Sequence, residues 1–409
     1  MENSAEDKKK MLREIIRQLQ SGVSPVEVKE KFKRVLEGTG SEDIARIEQE
    51  LVKEGLPREE LQRLCDVHLA VFGDQVQEQE LHIPLGHPIN ILVEEHKYLL
   101  ERVEKLGIIV KMFEEACDVV YVGDELTELQ SIVKDFQDSE KHYLREENVL
   151  FPMMEKHGIT EPPAVLWIEH NKIRDIEKKL HILVEKWNTT SFQDFKTQLT
   201  EVAKPLCNVL PSHFFKENNI LFPTALQTIQ DEEEWEEARK EFDEIGYCRF
   251  TPPRVLSKPE PSRKKVEIPS VSEGVLQFEN GKLSKDEVEG IFDSLPIDIS
   301  FIDKDDRVKY FNKAEKRIFV RTKAVLGRNV QLCHPEKSVH VVNKIIEAFE
   351  TGERDTAEFW IQANNRLILI RYYAVRGKNK KYIGTMEVTQ DITDLKRIEG
   401  QKKLLDWKE

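Results

Sequence analysis

The spacing of hydrophobic residues changes along the chain and separates it into three regions. Residues 8–73 contain short amphipathic stretches that predict four helices. Ser24 and Glu27 are typical of a capping box at the start of one helix, and Gly55 ends another before Pro57 begins the next. Longer helical stretches without strand-like alternation follow at 82–230. The first two regions are therefore predicted to be helical throughout.

Four long helices, A to D, are predicted in the second region. Residues that favour helix ends mark their limits: Pro88 begins A, Gly158 ends B, Pro162-Pro163 begins C, and Trp187-Asn188 separates C from D. Long helices joined by short connections favour an antiparallel, up-and-down four-helix bundle.

The third region has the period of β-strands. Runs rich in β-branched and aromatic residues predict five strands, at 297–301, 308–311, 358–361, 367–375 and 382–388. A helical segment at 338–349 lies between the second and third strands. This pattern predicts a small α+β domain built on an antiparallel sheet.

These elements predict a multidomain organisation. Between the bundle and the strands, an acidic helix at 231–245 is followed by TPPRVLSKPEPSRKKVEIP, whose five prolines predict an extended linker. The expected parts are a helical domain at 8–75, the bundle at 82–230, the acidic helix and linker at 231–282, the α+β domain at 283–396, and a polar tail at 397–409.

Composition limits the cellular location and the classes of binding partner that can be expected. The 409 residues are too many for one core, and the net charge of -14 disfavours nucleic acid or an anionic membrane as the main partner. No apolar run approaches the roughly 18 residues that span a bilayer, and the N-terminus lacks the apolar core of a signal peptide. Five dispersed cysteines without a CxxC motif are typical of free thiols in a reducing cytosol. We therefore expect a cytoplasmic protein.

One short sequence motif occurs twice in the bundle. HYLREENVLFP begins at His142 and HFFKENNILFP begins at His213. In each copy a glutamate follows the histidine by four residues, as Glu146 and Glu217. Residues four apart share one face of a helix. Each motif can therefore direct an imidazole and a carboxylate to the same point.

A Glu-His pair precedes each of these motifs. His96 follows Glu95 in helix A, and His170 follows Glu169 in helix C, 74 residues later; the two HxxxE motifs are 71 residues apart. A lone buried histidine is more often a packed core residue than a ligand, and a lone HxxxE is often a surface pair. Matched positions in both halves instead predict a pseudo-symmetric site for two metal ions, because burying so many polar groups without partners would cost several kcal/mol.

The donor types bear on the metal. Imidazole with carboxylate suits iron, zinc or copper, and two open-sided ions in a helical bundle favour iron. Neutral imidazoles leave a metal pair more positive than a carboxylate-rich site does. That difference favours the ferrous form, and it suits binding of a small ligand better than oxidation of a substrate.

With these motifs, the second region resembles a haemerythrin-like (HHE) domain. The resemblance implies two non-haem iron ions, held by five histidines and two carboxylates and bridged by the carboxylates and an oxo or hydroxo group. Six ligands match residue by residue: His96, His142, Glu146, His170, His213 and Glu217. The fifth histidine of invertebrate haemerythrins would fall at position 174, which is Arg174 here. His87, beside the predicted start of helix A, is our candidate for the fifth ligand.

The flanking regions resemble known neighbours of such domains. Residues 8–73, with the sequence EQELVKEGLPREELQRLCDVH, resemble a helical domain of unknown function that precedes haemerythrin-like domains. Residues 283–396 resemble a PAS domain through SLPIDISFIDKDDRVKYFN, the Gly327-Arg328 corner and the closing GTMEVTQDIT. A PAS domain implies sensing or dimerisation.

Two smaller groups of residues have open interpretations. Cys65 and His68 share an apolar helix face with Leu61, Leu64 and Phe72. They are either packed core residues, or their helix docks on the bundle so that Cys65 or His68 gates or ligates the iron site.

Cys333 and His334 form the second such group, in the PAS-like region. Either residue could supply an axial ligand to a haem, since both residue types are haem ligands. Two residues in a loop are a weak signal for a haem site. Whether this domain binds haem, flavin or nothing stays open.

Together these features favour a sensor whose di-iron site binds O2 or NO and acts on the PAS domain. A homodimer formed through PAS, or a separate signalling partner, is the expected output. The alternative is an enzyme or repair protein of the nitrosative stress response, either a nitric oxide reductase or an iron-donating protein that repairs iron–sulfur centres. A scaffold with a structural metal fits less well, because structural sites are usually closed and mononuclear.

Overall fold

The structure is a computed structural model, and it describes residues 5–21, 23–24, 27–28, 31, 41–56, 83–118, 122–256, 276–278, 280–315 and 317–400. The chain divides into two compact units, residues 1–263 and 264–409. No helix within the described ranges offers an apolar stretch sufficient to span a lipid bilayer.

The N-terminal region of the first unit is helical, as predicted. Among the described residues, α1 (Ala5–Gln20) and α2 (Ser41–Lys53) are complete helices. Their apolar faces meet in a small core that includes Leu12, Ile16 and Leu51. Gly55, with a φ of 98°, follows α2, and the N–H of Leu56 donates to the carbonyl of Leu51 over 3.0 Å. The left-handed conformation explains why a glycine ends this helix.

The bundle contains four long helices near their predicted places and several shorter ones. They are α3 (Pro88–Glu115), α4 (Gly123–Asp138), α5 (Glu140–Arg145), α6 (Phe151–Lys156), α7 (Glu161–Glu185), α8 (Phe192–Lys216) and α9 (Phe222–Thr228), followed by the acidic helix α10 (Glu232–Ile245). Helix α3 packs on α4 and α8, and α7 packs on the same two helices. The four long helices therefore close into a ring around one interior.

Two of the predicted helices are interrupted at matching places. Glu146–Leu150 and Glu217–Leu221 are π-helical turns, in which the N–H of Phe151 reaches the carbonyl of Glu146 and the N–H of Phe222 reaches that of Glu217. The residues that follow are Pro152 and Pro223. Proline donates no hydrogen bond, and its ring clashes with the carbonyl four residues earlier. The wider turn relieves that clash, and such turns occur often at functional sites.

The predicted helix B also breaks before its first ligand motif. Ser139 separates α4 from α5, and its hydroxyl donates to the carbonyl of Phe136 over 2.6 Å. A serine that bonds to the backbone nearby competes with the helical pattern. This break within helix B was not predicted.

The bundle interior contains two apolar clusters with a polar level between them. One cluster includes Leu99 and Ile173, and the other includes Leu92 and Leu166. Along α3, the residues between Leu92 and Leu99 include His96; along α7, those between Leu166 and Ile173 include His170. The histidines therefore enter the core at the boundary between the two clusters.

The second unit contains the predicted antiparallel sheet. Its strands are β3 (Asp298–Asp303), β4 (Val308–Phe311), β5 (Thr356–Ala363), β6 (Arg366–Arg376) and β7 (Tyr382–Asp391), in the order β4-β3-β7-β6-β5. All neighbours are antiparallel, so the predicted α+β class and its five strands are confirmed. Helix α12 (Glu336–Thr351) packs on β6 and β7. A short hairpin of β1 (Leu276–Phe278) and β2 (Gly281–Leu283), which was not predicted, precedes α11 (Lys285–Ser294).

Gly384 allows a test of the close pairing of β3 and β7 in the second unit. Its φ is 154°, and a Cβ there would lie 2.2 Å from the carbonyl oxygen of Ile302 on the neighbouring strand. Gly384→Ala should therefore lower the free energy of unfolding of this unit by about 2 kcal/mol or more. Hydrogen exchange of the β3 and β7 amides in the full chain would measure it. The control is Gly290→Ala on α11, where a Cβ meets nothing within 4 Å; equal protection in both variants would contradict this account.

Candidate metal centre

Four histidines and two glutamates converge at one level of the bundle. They come from all four sides of the ring: His96 from α3, His142 from α5, His170 from α7, His213 from α8, and Glu146 and Glu217 from the first residues of the two π-helical turns. All six side chains are at most 1% exposed. Buried polar groups of this kind require partners in the interior.

The first position is formed by His96, His142, Glu146 and Glu217, whose ligand atoms all lie within 4.8 Å of one another. Nε2 of His96 lies 3.0 Å from Nε2 of His142 and 3.0 Å from Oε2 of Glu217. Nε2 of His142 lies 3.6 Å from Oε2 of Glu146. These four donors face a common point.

The second position is formed by His170, His213 and Glu217, again within 4.8 Å of one another. Nε2 of His213 lies 2.9 Å from Oε1 of Glu217, and Nε2 of His170 lies 3.4 Å from the same oxygen. Nε2 of His170 also lies 3.3 Å from Oε2 of Glu146.

Both carboxylates therefore reach both positions. Glu217 directs Oε2 toward His96 and Oε1 toward His213. Oε2 of Glu146 lies between the rings of His142 and His170. Two carboxylates shared between two imidazole pairs are the arrangement that can bridge two ions.

Several atoms at this level have no hydrogen bond of good geometry with any described residue. They are both oxygens of Glu146, Oε2 of Glu217 and Nε2 of His213, all fully buried. Oε2 of each glutamate and Nε2 of His213 lie 2.9 to 3.6 Å from ligand atoms of neighbouring residues, but without the geometry of a donor aimed at an acceptor. Unsatisfied buried groups are costly, and cations placed among them would satisfy them together.

The opposite nitrogen of each ring has a defined partner. The Nδ1 atoms lie 2.7 to 3.0 Å from an oxygen of a neighbouring residue: His142 from Glu95, His170 from Glu147, His213 from Glu169, and His96 from Asn218. Carboxylates accept hydrogen bonds only, so Nδ1 carries the proton in the three rings that face one. Nε2 of those rings is then left to act as a ligand atom.

The three outer carboxylates are themselves neutralised. The pairs are Glu95 with Arg145, Glu147 with Arg174 at 2.7 Å, and Glu169 with Lys216 at 2.7 Å. Burial would raise the pKa of Glu95, but the Arg145 guanidinium and the His142 ring outweigh it and hold that pKa at about 2. Burial is likewise outweighed at Glu169, whose pKa the His213 ring and Lys216 hold at about 2. These residues are therefore carboxylates at neutral pH.

The inner carboxylates attract positive charge. Burial would lower the pKa of His170, but Glu146 and Glu147 outweigh it and raise the pKa well above its ordinary range. Burial would raise the pKa of Glu217, but His213 and His170 hold it well below its ordinary range. Protons and metal cations therefore compete for the same lone pairs, and metal binding should weaken as the pH falls.

Aromatic rings at equivalent positions pack against one imidazole in each half. His96 stacks on Phe214 and Phe222, with ring centroids 4.3 and 5.4 Å apart. His170 lies against Tyr143 and Phe151, at 4.7 and 5.7 Å. The stacking residues occupy equivalent places in the two copies of the repeated motif. Packing and hydrogen bonding together preorganise the rings.

This donor set fits a pair of transition-metal ions. Four imidazole nitrogens with two shared carboxylates suit iron, zinc or copper, whereas calcium and magnesium prefer sites made of oxygen. The six residues could therefore hold a metal pair, with their orphaned inward atoms as ligands.

His87 does not join the cluster. It is the N-cap of α3, where its Nδ1 accepts a hydrogen bond from the N–H of Ile89 over 3.2 Å. Its ring packs against Trp235, with centroids 4.5 Å apart. The capping position that makes Pro88 favourable at the first turn also directs this ring to α10, away from the cluster. Arg174, at the place of the fifth haemerythrin histidine, instead pairs with Glu140 and Glu147.

The remaining candidates lie elsewhere. Cys65 and His68 fall outside the described residues. Sγ of Cys333 donates to the carbonyl of Asn329, and Nδ1 of His334 donates to that of Val330 over 2.8 Å. The cavity beside His334 measures about 20 Å³. That is room for about one water molecule, so this cavity is too small for a haem.

The partners of the Nδ1 atoms were not predicted from the sequence. Glu95 and Glu169 stand directly before His96 and His170, and Glu147 directly follows Glu146. The repeated Glu-His pairs were a signal for two of them. The sequence does not show which histidine each glutamate contacts, because Glu95 accepts a hydrogen bond from His142 rather than from its neighbour His96.

Comparisons with known proteins agree with this geometry. Residues 87–225 match the hemerythrin HHE cation binding domain, residues 12–78 match a family of unknown function (DUF438), and residues 288–393 match a PAS domain. No curated protein matches the chain.

Solved structures similar to parts of the chain are also known. The C-terminal domain of a Streptococcus mutans protein is 33% identical, covering 31% of this chain and 98% of that one, with a TM-score of 0.30. A PAS domain from Colwellia psychrerythraea is 19% identical, covering 27% and 97%, with a TM-score of 0.22. A sensory box sensor histidine kinase from Vibrio cholerae is 13% identical, covering 26% and 89%, with a TM-score of 0.21.

The chain therefore contains a hemerythrin HHE cation binding domain at residues 87–225, preceded by a match to a family of unknown function and followed by a PAS domain.

The capping role of His87 predicts separate effects on stability and on metal content. His87→Asn retains a good N-cap, whereas His87→Ala should lower the free energy of unfolding by about 1 kcal/mol. Neither variant should lose metal. Metal analysis and urea unfolding would measure both effects. Loss of an ion from both variants would identify His87 as a ligand instead.

His87 also predicts a pH effect. Burial lowers the pKa of His87 from 6.5 to about 4. Between these values the unfolded chain binds the proton more readily, so the folded state loses stability as the pH falls from 6.5 toward 4. The difference in stability between wild type and His87→Asn should therefore change between pH 7 and pH 5, to the disadvantage of the wild type. A constant difference would contradict this.

Proposed function

We propose that this protein is a sensor in which a di-iron site of the bundle binds O2 or NO and alters the state of the PAS domain. The observation that carries the proposal is the buried cluster, in which Glu146 and Glu217 each lie between two imidazole pairs. Two positions that share two carboxylates suit two ions whose oxidation states change together. The family matches support cation binding beside a PAS domain.

Iron is the proposed metal because of the donor set. Imidazole-rich sites favour the ferrous state, and helical bundles that place histidine and carboxylate ligands on facing helices are typical of iron pairs. When bound, iron supplies the redox chemistry and the affinity for a diatomic gas. The protein contributes a fixed set of ligands and a dry interior, since the six residues are at most 1% exposed.

A direct contact joins this cluster to the segment that leads toward the PAS domain. Residues 246–256, which we term the strap, follow α10 and precede the proline-rich linker. The hydroxyl of Thr251 in the strap donates to Glu95, the carboxylate that holds Nδ1 of His142. Arg145, the cation of Glu95, donates to the carbonyl of Gly246 over 3.3 Å. The strap is therefore two hydrogen bonds away from a ligand ring.

This contact gives the proposed sensor a path by which the metal site can influence the strap. Glu95 shares its charge among His142, Arg145 and Thr251, so a change in electron demand on the His142 ring changes the strength of the other two bonds. A second pair, Arg254 with Glu94, holds the strap on the same helix. We propose that the strap has two arrangements, biased by the state of the metal pair, which is what coupling between two sites requires.

The setting of the sensor follows from the same arguments. We propose that it acts in the cytoplasm, where its dispersed cysteines stay reduced, and that it signals as a homodimer through the PAS domain or through a separate partner. The acidic chain, with a net charge of -14, disfavours nucleic acid and anionic membranes as partners.

The di-iron proposal predicts a defined metal content. Anaerobic reconstitution with Fe(II) should load two ions per chain, and oxidation should produce oxo-bridge bands in the near ultraviolet. Glu217→Ala or Glu146→Ala should lose most of the second ion, because each removes a shared carboxylate. Glu232→Ala, at an exposed position of α10, is the control. One tightly held zinc ion without such bands would contradict the proposal.

The coupling proposal predicts that Thr251 matters for signalling but not for metal binding. In the wild type, hydrogen exchange within 283–396 should differ between the diferrous and oxidised forms. Thr251→Val removes the hydroxyl, and most of that difference should disappear while iron content stays unchanged. Thr197→Val, at an exposed position of α8, should behave as wild type.

Two results would favour another function. If only the bundle responds in the wild type, sensing through PAS is wrong. Catalytic loss of NO by the bundle in the presence of an electron donor would then support the reductase or repair alternative.

A further inference from the structure

The Nδ1 partners in the two halves of the metal centre match at the HxxxE histidines, His142 and His213, but differ at His96 and His170. His170 directs Nδ1 to the carboxylate of Glu147, at 2.8 Å, whereas His96 directs Nδ1 to the amide oxygen of Asn218, at 3.0 Å. Glu147 and Asn218 are equivalent residues of the repeated motif, each directly after a shared carboxylate. The second position thus has carboxylate partners behind both of its imidazoles, and the first position behind only one.

This difference changes the strength of the ligands. A ligating histidine becomes a better donor when its other nitrogen bonds to a carboxylate, and loss of such a partner typically weakens metal binding about 10- to 100-fold. An amide oxygen is neutral and polarises the ring less. The His96 ring is therefore the weakest of the four imidazole donors.

The amide also gives His96 a second arrangement that a carboxylate would forbid. An amide presents an acceptor on one side and donors on the other. With Oδ1 toward His96, Nδ1 carries the proton and Nε2 is available to a metal. With the amide rotated, Nδ1 becomes the acceptor and Nε2 carries the proton.

The geometry of the first position provides an acceptor for that proton. Nε2 of His96 lies 3.0 Å from Nε2 of His142. The ring of His142 carries its proton on Nδ1, since Nδ1 lies 2.7 Å from the Glu95 carboxylate, so its Nε2 can accept. The pair can therefore satisfy itself with one internal hydrogen bond, without a change in its charge.

The two Nδ1 partners, Asn218 and Glu147, also differ in solvent exposure. Asn218 is partly exposed, while Glu147 is 6% exposed and lies beneath Arg174. The first position is thus the one with a partner that solvent can reach.

We propose that Asn218 makes the first position, between His96 and His142, a releasable metal site, which fills after the second position and empties before it. The inference rests on the proposed two-ion function and deepens it, because it identifies which ion the protein can give up. Asn218 acts as a positioning residue through His96 and does not contact the metal.

Competition between the full-length chain and an Fe(II) chelator under argon tests this. Wild type should bind two ions in steps that differ by about tenfold or more in affinity. Asn218→Asp restores the carboxylate without a change in size, so the weaker step should tighten by about tenfold and approach the stronger one. Asn219→Asp adds the same charge at the exposed neighbouring residue and should change neither step. Mössbauer spectra of the 57Fe-loaded forms should show two distinct sites in wild type and more similar ones in Asn218→Asp.

Glu147→Gln provides an independent test of the difference between the two positions. It can be measured even if Asn218→Asp does not fold. It removes the carboxylate behind His170, so the stronger step should weaken and the two sites should become more alike. Equal steps in wild type, or steps that respond to neither Asn218→Asp nor Glu147→Gln, would overturn the proposal while leaving a two-ion site intact. Failure of wild type to bind a second ion would overturn the proposed function as well.

Discussion

The bundle depends on one constraint, which is that two carboxylates and four imidazoles lie in an interior that would otherwise be apolar. Charge in such a place is costly unless it is paired and hydrogen-bonded. The structure meets this cost in layers. The inner atoms face one another, the outer nitrogens face Glu95, Glu147, Glu169 and Asn218, and three of these partners face a cation. Rings of Phe214 and Tyr143 from one apolar cluster, and of Phe222 and Phe151 from the other, lie against His96 and His170 at this level. Cations placed among the inner atoms would complete this layer.

The repeat explains both the likeness of the two half-sites and their differences. Each copy ends a helical segment with the ligand pair and widens the next turn before a Phe-Pro pair, so proline determines the local geometry at Glu146 and Glu217. Equivalent residues then perform equivalent tasks, except where the copies diverge. One divergence, Asn218 for Glu147, distinguishes the two metal positions. A second asymmetry comes from outside the repeat, where Thr251 of the strap contacts Glu95 and connects one half-site to the start of the linker.

Much of this could be predicted from the sequence, because it depends on local rules. Helix starts at Pro88 and Pro162, the glycine after α2, and the five strands follow from periodicity and capping. The six inward residues follow from matched spacing, since four residues on a helix fix a face. What could not be predicted depends on neighbours in space. The partner of Nδ1 in His142 is 47 residues away in the chain, and the strap reaches Glu95 from a distance of 156 residues. His87 was proposed as a ligand because it lies near the start of helix A, but the cap and Trp235 turn its ring elsewhere.

The most direct test of the central claim is the position of bound metal. Crystals of the full-length chain, loaded anaerobically with iron, should be measured by anomalous scattering on both sides of the iron absorption edge. We expect two peaks per chain, one between His96 and His142 and one between His170 and His213, with Glu146 and Glu217 between the peaks. A single peak, or an ion coordinated by His87 instead, would contradict it.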